Sequence, residues 1–154
     1  PAVLRAETLR VRQALEQQRA RTRRGSDVDI KYGQGGMLDV YFAMRYLQLR
    51  DNVPDDAGDR STAFTLERLN RAGSLTESEF HGLLNGYNFL SDLDHNLRLT
   101  VGRTTRLSMG NQLVLSTIAQ RMEIASPVEL LEQLTLHRLA IRSAFESVLR
   151  SPGS

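Results

Sequence analysis

The residues with the most chemistry in reach lie in one stretch, Asp29-Ile30-Lys31-Tyr32-Gly33-Gln34-Gly35-Gly36-Met37-Leu38-Asp39, which sets the only lysine of the chain beside three glycines and two aspartates. The other nineteen basic residues are arginines, so the sequence keeps a compact ammonium at this one place. An ammonium is a point charge on a flexible stem and fits a tight phosphate or carboxylate pocket, whereas a guanidinium is a rigid fork. A glycine turn leading into a helix presents backbone N–H groups, and with Lys31 it can meet a nucleotide phosphate or an acidic partner; the other reading is a plain strand-to-helix turn. Asp39 falls in the first turn of that helix, where a carboxylate interacts well with exposed amides. The spacing excludes two common phosphate loops. A Walker loop needs its lysine after the last glycine, and the dinucleotide fingerprint needs a third glycine where Leu38 stands.

The remaining chemical candidates are weaker. His95 lies beside Asp94 and near Arg98, but neighbours in sequence do not face each other on a helix, and no serine or cysteine nucleophile is implied. His95 is expected to be structural, bonding to a neighbouring helix, His137 to sit in the core at the spacing of Leu134 and Ile141, and His81 to be exposed. Three histidines so far apart make no metal site, so neither a catalytic nor a metal-binding residue is expected. The run Arg19-Ala20-Arg21-Thr22-Arg23-Arg24 can contact phosphates, or can be a solvated helix end whose cations favour the C-terminal dipole.

Elements that would position these groups follow from periodicity. Leu4, Val11 and Leu15, with Thr8 between them, share a face of a helix from Pro1 to about Arg24 that stops before Gly25. Asp27 to Lys31 alternates polar and apolar as a short strand does, and no convincing partner strand is found, so this strand is expected to complete a sheet outside the chain. Met37 to Leu49 is apolar on nearly every side, which predicts a buried central helix. Asp51 to Arg60 reads as an exposed, mobile polar loop, and Ser61 or Thr62 then caps a short helix with Ala63, Leu66 and Leu69 inward, ended by Gly73. Thr76 and Glu79 have capping-box spacing ahead of a helix of about 25 residues carrying Phe80, Leu83, Leu84, Tyr87, Leu90, Leu97 and Val101, closed by Gly102. Leu113, Val114, Ile118 and Met122 mark another helix. Ser126, Pro127 and Glu129 stand in cap, N1 and N3 order for a last one to about Arg150, with Leu130, Leu134, Ile141, Phe145 and Val148 inward. The fold class is all-α, a bundle of about five or six helices with one short orphan strand and a glycine-rich turn near residues 27–36.

With 154 residues the chain fits a single domain, residues 1–154. It has no cysteine, 25% charged residues and no apolar run of membrane length, which predicts a soluble cytoplasmic protein without disulfides, a membrane span or a secretory leader. A net charge of only +2 makes nucleic acid an unexpected partner.

The stretch from Asp29 to Leu49 resembles the segment after the nucleotidyltransferase domain of glutamate-ammonia-ligase adenylyltransferases, which modify glutamine synthetase. Leu69 to Thr76 and Tyr87 to Leu99 are similar to that family's helical domain, so the resemblance spans roughly residues 27 to 149; a related domain occurs in PII uridylyltransferases. The resemblance implies a noncatalytic helical domain, a piece of a larger multidomain enzyme, bracing a nucleotidyltransferase domain that uses ATP and magnesium and helping to dock glutamine synthetase. It places Lys31, Gly33, Gly35, Gly36 and Asp39 where the two domains join, as nucleotide or interdomain contacts. Two positions depart from the family, which carries an acidic residue at the place of Tyr41 and isoleucine or leucine at Met37; if that acid serves the active site, this copy is a specialised or degenerate half. The alternative is a stand-alone interaction module binding a regulatory partner such as PII, and an independent phosphate-binding enzyme ranks last.

Overall fold

The computed structural model describes residues 1–20 and 27–150. The expected end of the first helix at Arg24, and Arg21 to Arg24 of the basic run, lie outside the described residues. Six helices and two short strands follow in the order α1 (Ala2–Ala20), β1 (Asp27–Asp29), α2 (Met37–Asp51), α3 (Thr62–Arg71), α4 (Glu77–Thr100), β2 (Arg106–Ser108), α5 (Gln112–Arg121) and α6 (Pro127–Arg150). No described helix is long and apolar enough to cross a membrane.

Local signals set the helix starts. The Thr76 hydroxyl accepts from the Glu79 amide at 3.1 Å and the Glu79 carboxylate accepts from the Thr76 amide at 2.9 Å, a closed capping box. Ser61 accepts from the Phe64 amide, and Ser126 from the Glu129 amide, with Pro127 opening α6. Glu79 is buried and also accepts from Ser147 of α6 at 2.6 Å, so one side chain caps α4 and fastens it to α6.

The most extensive contact in the fold is that between α4 and α6, both 24 residues long. Leu83, Leu90, Leu93 and Leu97 of α4 are buried with Leu130, Leu134, Ile141, Phe145 and Val148 of α6. The axes come close at Gly86, where an added Cβ would stand 2.5 Å from Ile141 Cγ1. Helix α2 packs on α6, α3 and α4, and α1 packs on α2. Leu49, at the end of α2, is exposed.

The strand expected to be an orphan has its partner within the chain. β1 pairs antiparallel with β2, with Asp27 opposite Ser108, Val28 opposite Leu107 and Asp29 opposite Arg106, and the Ile30 amide continues the ladder to the Thr105 carbonyl at 2.8 Å. Val28, Ile30 and Leu107 are buried, so the two-stranded clip rests on the bundle core and is stable without a larger sheet. Three helix faces also differ from expectation. Val11 and Leu113 are exposed, with Arg12 and Leu115 in the buried positions, and Val101 lies outside on the C-cap of α4. Leu115, Ile118 and Ala119 form a tighter inward stripe than one through Leu113, and α1 is turned by the polar anchor described below.

Candidate functional site

The glycine-rich turn carries β1 into α2 and is built almost entirely from backbone. The Asp29 carboxylate accepts from the amides of Lys31 (3.0 Å) and Tyr32 (2.8 Å), and the Asp29 carbonyl accepts from Gly33 at 3.1 Å. The Met37 and Leu38 amides, among the unpaired donors at the start of α2, reach back to the carbonyls of Ile30 and Lys31, each at 3.0 Å. Side chains are excluded by this folding back. A Cβ on Gly36 would lie within 2.9 Å of the Gly33 and Lys31 carbonyl oxygens, and Gly35 has φ +71° with its back against the Arg138 carbonyl of α6, so a Cβ there would collide with it.

Asp39 locks the turn. Its side chain is fully buried, and its Oδ1 accepts from Arg12 Nε at 2.6 Å while Oδ2 accepts from the Gly35 amide at 2.7 Å. Arg142 Nη1 approaches both oxygens, at 3.3 and 3.2 Å, and donates to Glu16 at 2.8 Å. Arg12, 1% exposed, also donates from Nη2 to the carbonyls of Tyr32 and Gly33, each at 2.9 Å. One carboxylate therefore ties α1, the glycine turn, α2 and α6 together. Burial opposes the charged form of Arg142, but the fields of Asp39 and Glu16 outweigh it and hold its pKa above the ordinary value. A buried carboxylate taken up by two guanidiniums and an amide does not fit a magnesium ion, and among the described residues no group of three or more acids and histidines gathers as metal ligands.

Of the five residues singled out in the sequence, the structure places Lys31 and the three glycines in the turn and Asp39 in the first turn of α2 bonded to it, but presents them unequally. Gly35, Gly36 and Asp39 are buried, whereas Lys31 and Gly33 are half-buried and reach the surface. Lys31 Nζ stands 5.7 Å from the centre of the Tyr32 ring, over which the Arg19 guanidinium also lies at 3.8 Å. Gly33, Tyr32 and Gln34 border a cleft of about 380 Å³, which Arg19, Arg106 and Arg138 line together with Glu16, Asp27 and Asp29.

Tyr41 points away from the turn, into the contact of α2 with α4, where its ring meets that of Tyr87 edge-on at 6.0 Å. Burial first, and then the Tyr87 hydroxyl, push the Tyr41 pKa up to about 12. The histidines stay apart. His95 is exposed rather than bonded into a helix contact, because its α4 position faces solvent, and His81 is exposed beside Glu77 at 3.4 Å. His137 is half-buried and stacked on Phe89 at 4.5 Å, and burial lowers its pKa.

Arg12 and Arg142, which organise the turn, carry no local signal in the sequence. Their partner lies 27 and 103 residues away, and the one hint is an arginine interrupting the inward face of α1.

A family model described as GlnD PII-uridylyltransferase matches residues 9–149. Among curated relatives, the bifunctional glutamine synthetase adenylyltransferase/adenylyl-removing enzyme of Aromatoleum aromaticum is 30% identical over 85% of this chain and 14% of its own length. The proteins of the same description from Pseudomonas syringae pv. tomato and Burkholderia mallei are each 29% identical, over 96% and 78% of this chain and 15% and 13% of their own lengths. The chain thus spans about one-seventh of the curated relatives it matches. With the match running from the middle of α1 through both strands and the other five helices to residue 149, the chain belongs to the GlnD PII-uridylyltransferase family.

Proposed function

We propose that this chain is the noncatalytic helical domain of a glutamine synthetase adenylyltransferase, bracing a nucleotidyltransferase domain through its glycine-turn face and contributing to the docking of glutamine synthetase in the cytoplasm. The observation that carries this is the unequal presentation of the turn. Asp39, Gly35 and Gly36 are spent on holding the backbone rigid against α1 and α6, while Lys31 and Gly33 are offered outward. In that reading ATP and magnesium are held by the neighbouring domain, and Lys31 supplies a cation at the seam, to the nucleotide or to an interdomain carboxylate. The resemblance of residues 29–49 to the segment after such a domain supports the placement, as do relatives named for adenylyl transfer to and removal from glutamine synthetase.

The test is Lys31→Ala in the full-length enzyme. Transfer of AMP to glutamine synthetase is expected to fall about tenfold or more, equivalent to about 1.4 kcal/mol of lost binding. The melting temperature of the helical chain should stay nearly unchanged, because a half-exposed cation contributes little to stability. Lys31→Arg should rescue transfer only in part. Full activity in both variants would make Lys31 an ordinary surface residue, and transfer of AMP by the 154-residue chain alone would contradict the noncatalytic role.

A second reading, an interaction module binding PII, is favoured by one feature. Leu136 and Leu139, one turn apart on α6, are 66% and 63% exposed. Direct titration with PII decides it, and Leu136→Ser with Leu139→Ser should abolish that binding if the reading holds.

A further inference from the structure

Beyond the glycine turn, the ends of α1 and α4, the connection to β2, Arg106 of β2 and Tyr32 border a second, open cleft of about 790 Å³. Four arginines line it, Arg19, Arg98, Arg103 and Arg106, and no acidic residue is among its described lining. The described lining therefore carries four positive charges with no acid among them, although the whole chain has a net charge of only +2. Carboxylates bordering the cleft moderate that charge: Asp94 lies 3.3 Å from Arg98, and Asp29 lies 3.9 Å from Arg106. The third fork, that of Arg19, lies over the Tyr32 ring at 3.8 Å. The remaining lining residues are Thr104 and Thr105, whose hydroxyls can donate to an anion.

We propose that this cleft binds a polyphosphate chain. Guanidinium forks match phosphate oxygens two at a time, and several of them around one volume suit an anion with several charged groups better than one isolated phosphate. The volume lies within the range of about 300–1,000 Å³ of sites that hold whole small molecules, so a triphosphate fits with space beside it. That chemistry is shared by inorganic triphosphate and nucleoside triphosphates. In the second case the base has the exposed part of the Tyr32 ring within reach. The site is formed by this chain alone, so the inference does not depend on the proposed role in modifying glutamine synthetase.

Calorimetric titration of the chain at low ionic strength with inorganic triphosphate, ATP and orthophosphate tests it. Triphosphate should bind at least about tenfold more tightly than orthophosphate, and binding should weaken steeply as salt shortens the reach of the charges, from about 30 Å at 0.01 M to about 10 Å at 0.1 M. Arg98→Gln with Arg103→Gln should weaken triphosphate about tenfold or more, whereas Arg45→Gln, on the exposed face of α2, should change nothing. Should the double variant misfold, Arg103→Glu alone carries the same expectation, because Arg103 is exposed. ATP binding tighter than triphosphate identifies a nucleotide site, and equal binding identifies a site for the phosphate chain itself; both sustain the proposal. Failure of triphosphate to bind, or equal binding by the cleft variants and Arg45→Gln, overturns it.

Discussion

The long α4–α6 contact and the Asp39 anchor both hold α6 in place, but they do so by different physics. Along α4 and α6 the buried surface is leucine, isoleucine and phenylalanine, closed up at Gly86, and its stability comes from apolar area and close packing. At the other edge α6 contributes Arg142 to a buried carboxylate shared with Arg12 and the Gly35 amide. Such a cluster adds little net stability over an apolar one, because removing ions from water costs about as much as their attraction returns. What it adds is geometry: directional bonds fix the turn to α1, α2 and α6 in one arrangement. The apolar contact makes the bundle stable, and the polar one decides where Lys31 stands.

Substitutions can separate the two. Phe145→Ala should cost about 3–5 kcal/mol and Leu97→Ala about 2–5, read as a lowered denaturant midpoint at unchanged slope. Asp39→Asn should cost a similar amount, about 3–5 kcal/mol, for another reason, since it leaves the buried Arg12 charge with only the more distant Glu16 carboxylate at 3.7 Å. The two losses part under a second change, because no replacement on α1 repairs the Phe145 cavity whereas loss of the Arg12 charge relieves the Asp39 variant. Gly35→Ala should cost more than about 1 kcal/mol, the penalty of a side chain at positive φ augmented by collision with α6, while the melting curve stays cooperative. Ala57→Ser, in the connection between α2 and α3, should change stability by less than about 0.5 kcal/mol. If the loop change outweighed Phe145→Ala, the assignment of helix faces would be wrong.

The smallest effect concerns pH at the apolar contact. Burial holds the His137 pKa below 6.5, so the unfolded chain binds a proton that the folded chain resists. The neutral ring's share of stability is complete above the unfolded value and declines as pH falls from there through the folded one. Urea midpoints should therefore drop, as pH falls from about 7 through the ordinary histidine range, more in the parent chain than in His137→Asn, since a residue without a proton to gain removes this linkage. Equal drops would mean that His137 is solvated in both states.

Most of the apolar region was legible in the sequence because its signals are local. Thr76 with Glu79, and Ser126 with Pro127 and Glu129, announce helix starts within four residues, and the α6 stripe from Leu130 to Val148 repeats at helical spacing. The anchor was not legible, since Arg12 interrupts an apolar face and finds its reason only in Asp39, two elements later. The β2 strand was equally hidden. Arg106-Leu107-Ser108 has one apolar residue and no alternation to detect, so β1 was expected to pair outside the chain when its partner lies after α4. Of the site itself, the glycine positions were readable from backbone chemistry. The arginine cleft was not, because its lining comes from α1, the turn, α4 and the connection to β2.

The most direct measurement is a double-mutant cycle on Arg12→Met and Asp39→Asn, followed by urea unfolding of the four proteins. Methionine keeps the stem of Arg12, and asparagine keeps an acceptor for the Gly35 amide, so the cycle isolates the charge pairing. If the buried pair fixes the turn, each single change is strongly destabilising and the double variant recovers much of the loss, with a coupling energy of about 2 kcal/mol or more. Losses that add within about 0.5 kcal/mol would contradict it, and would leave the position of the glycine turn to the backbone and the apolar core alone.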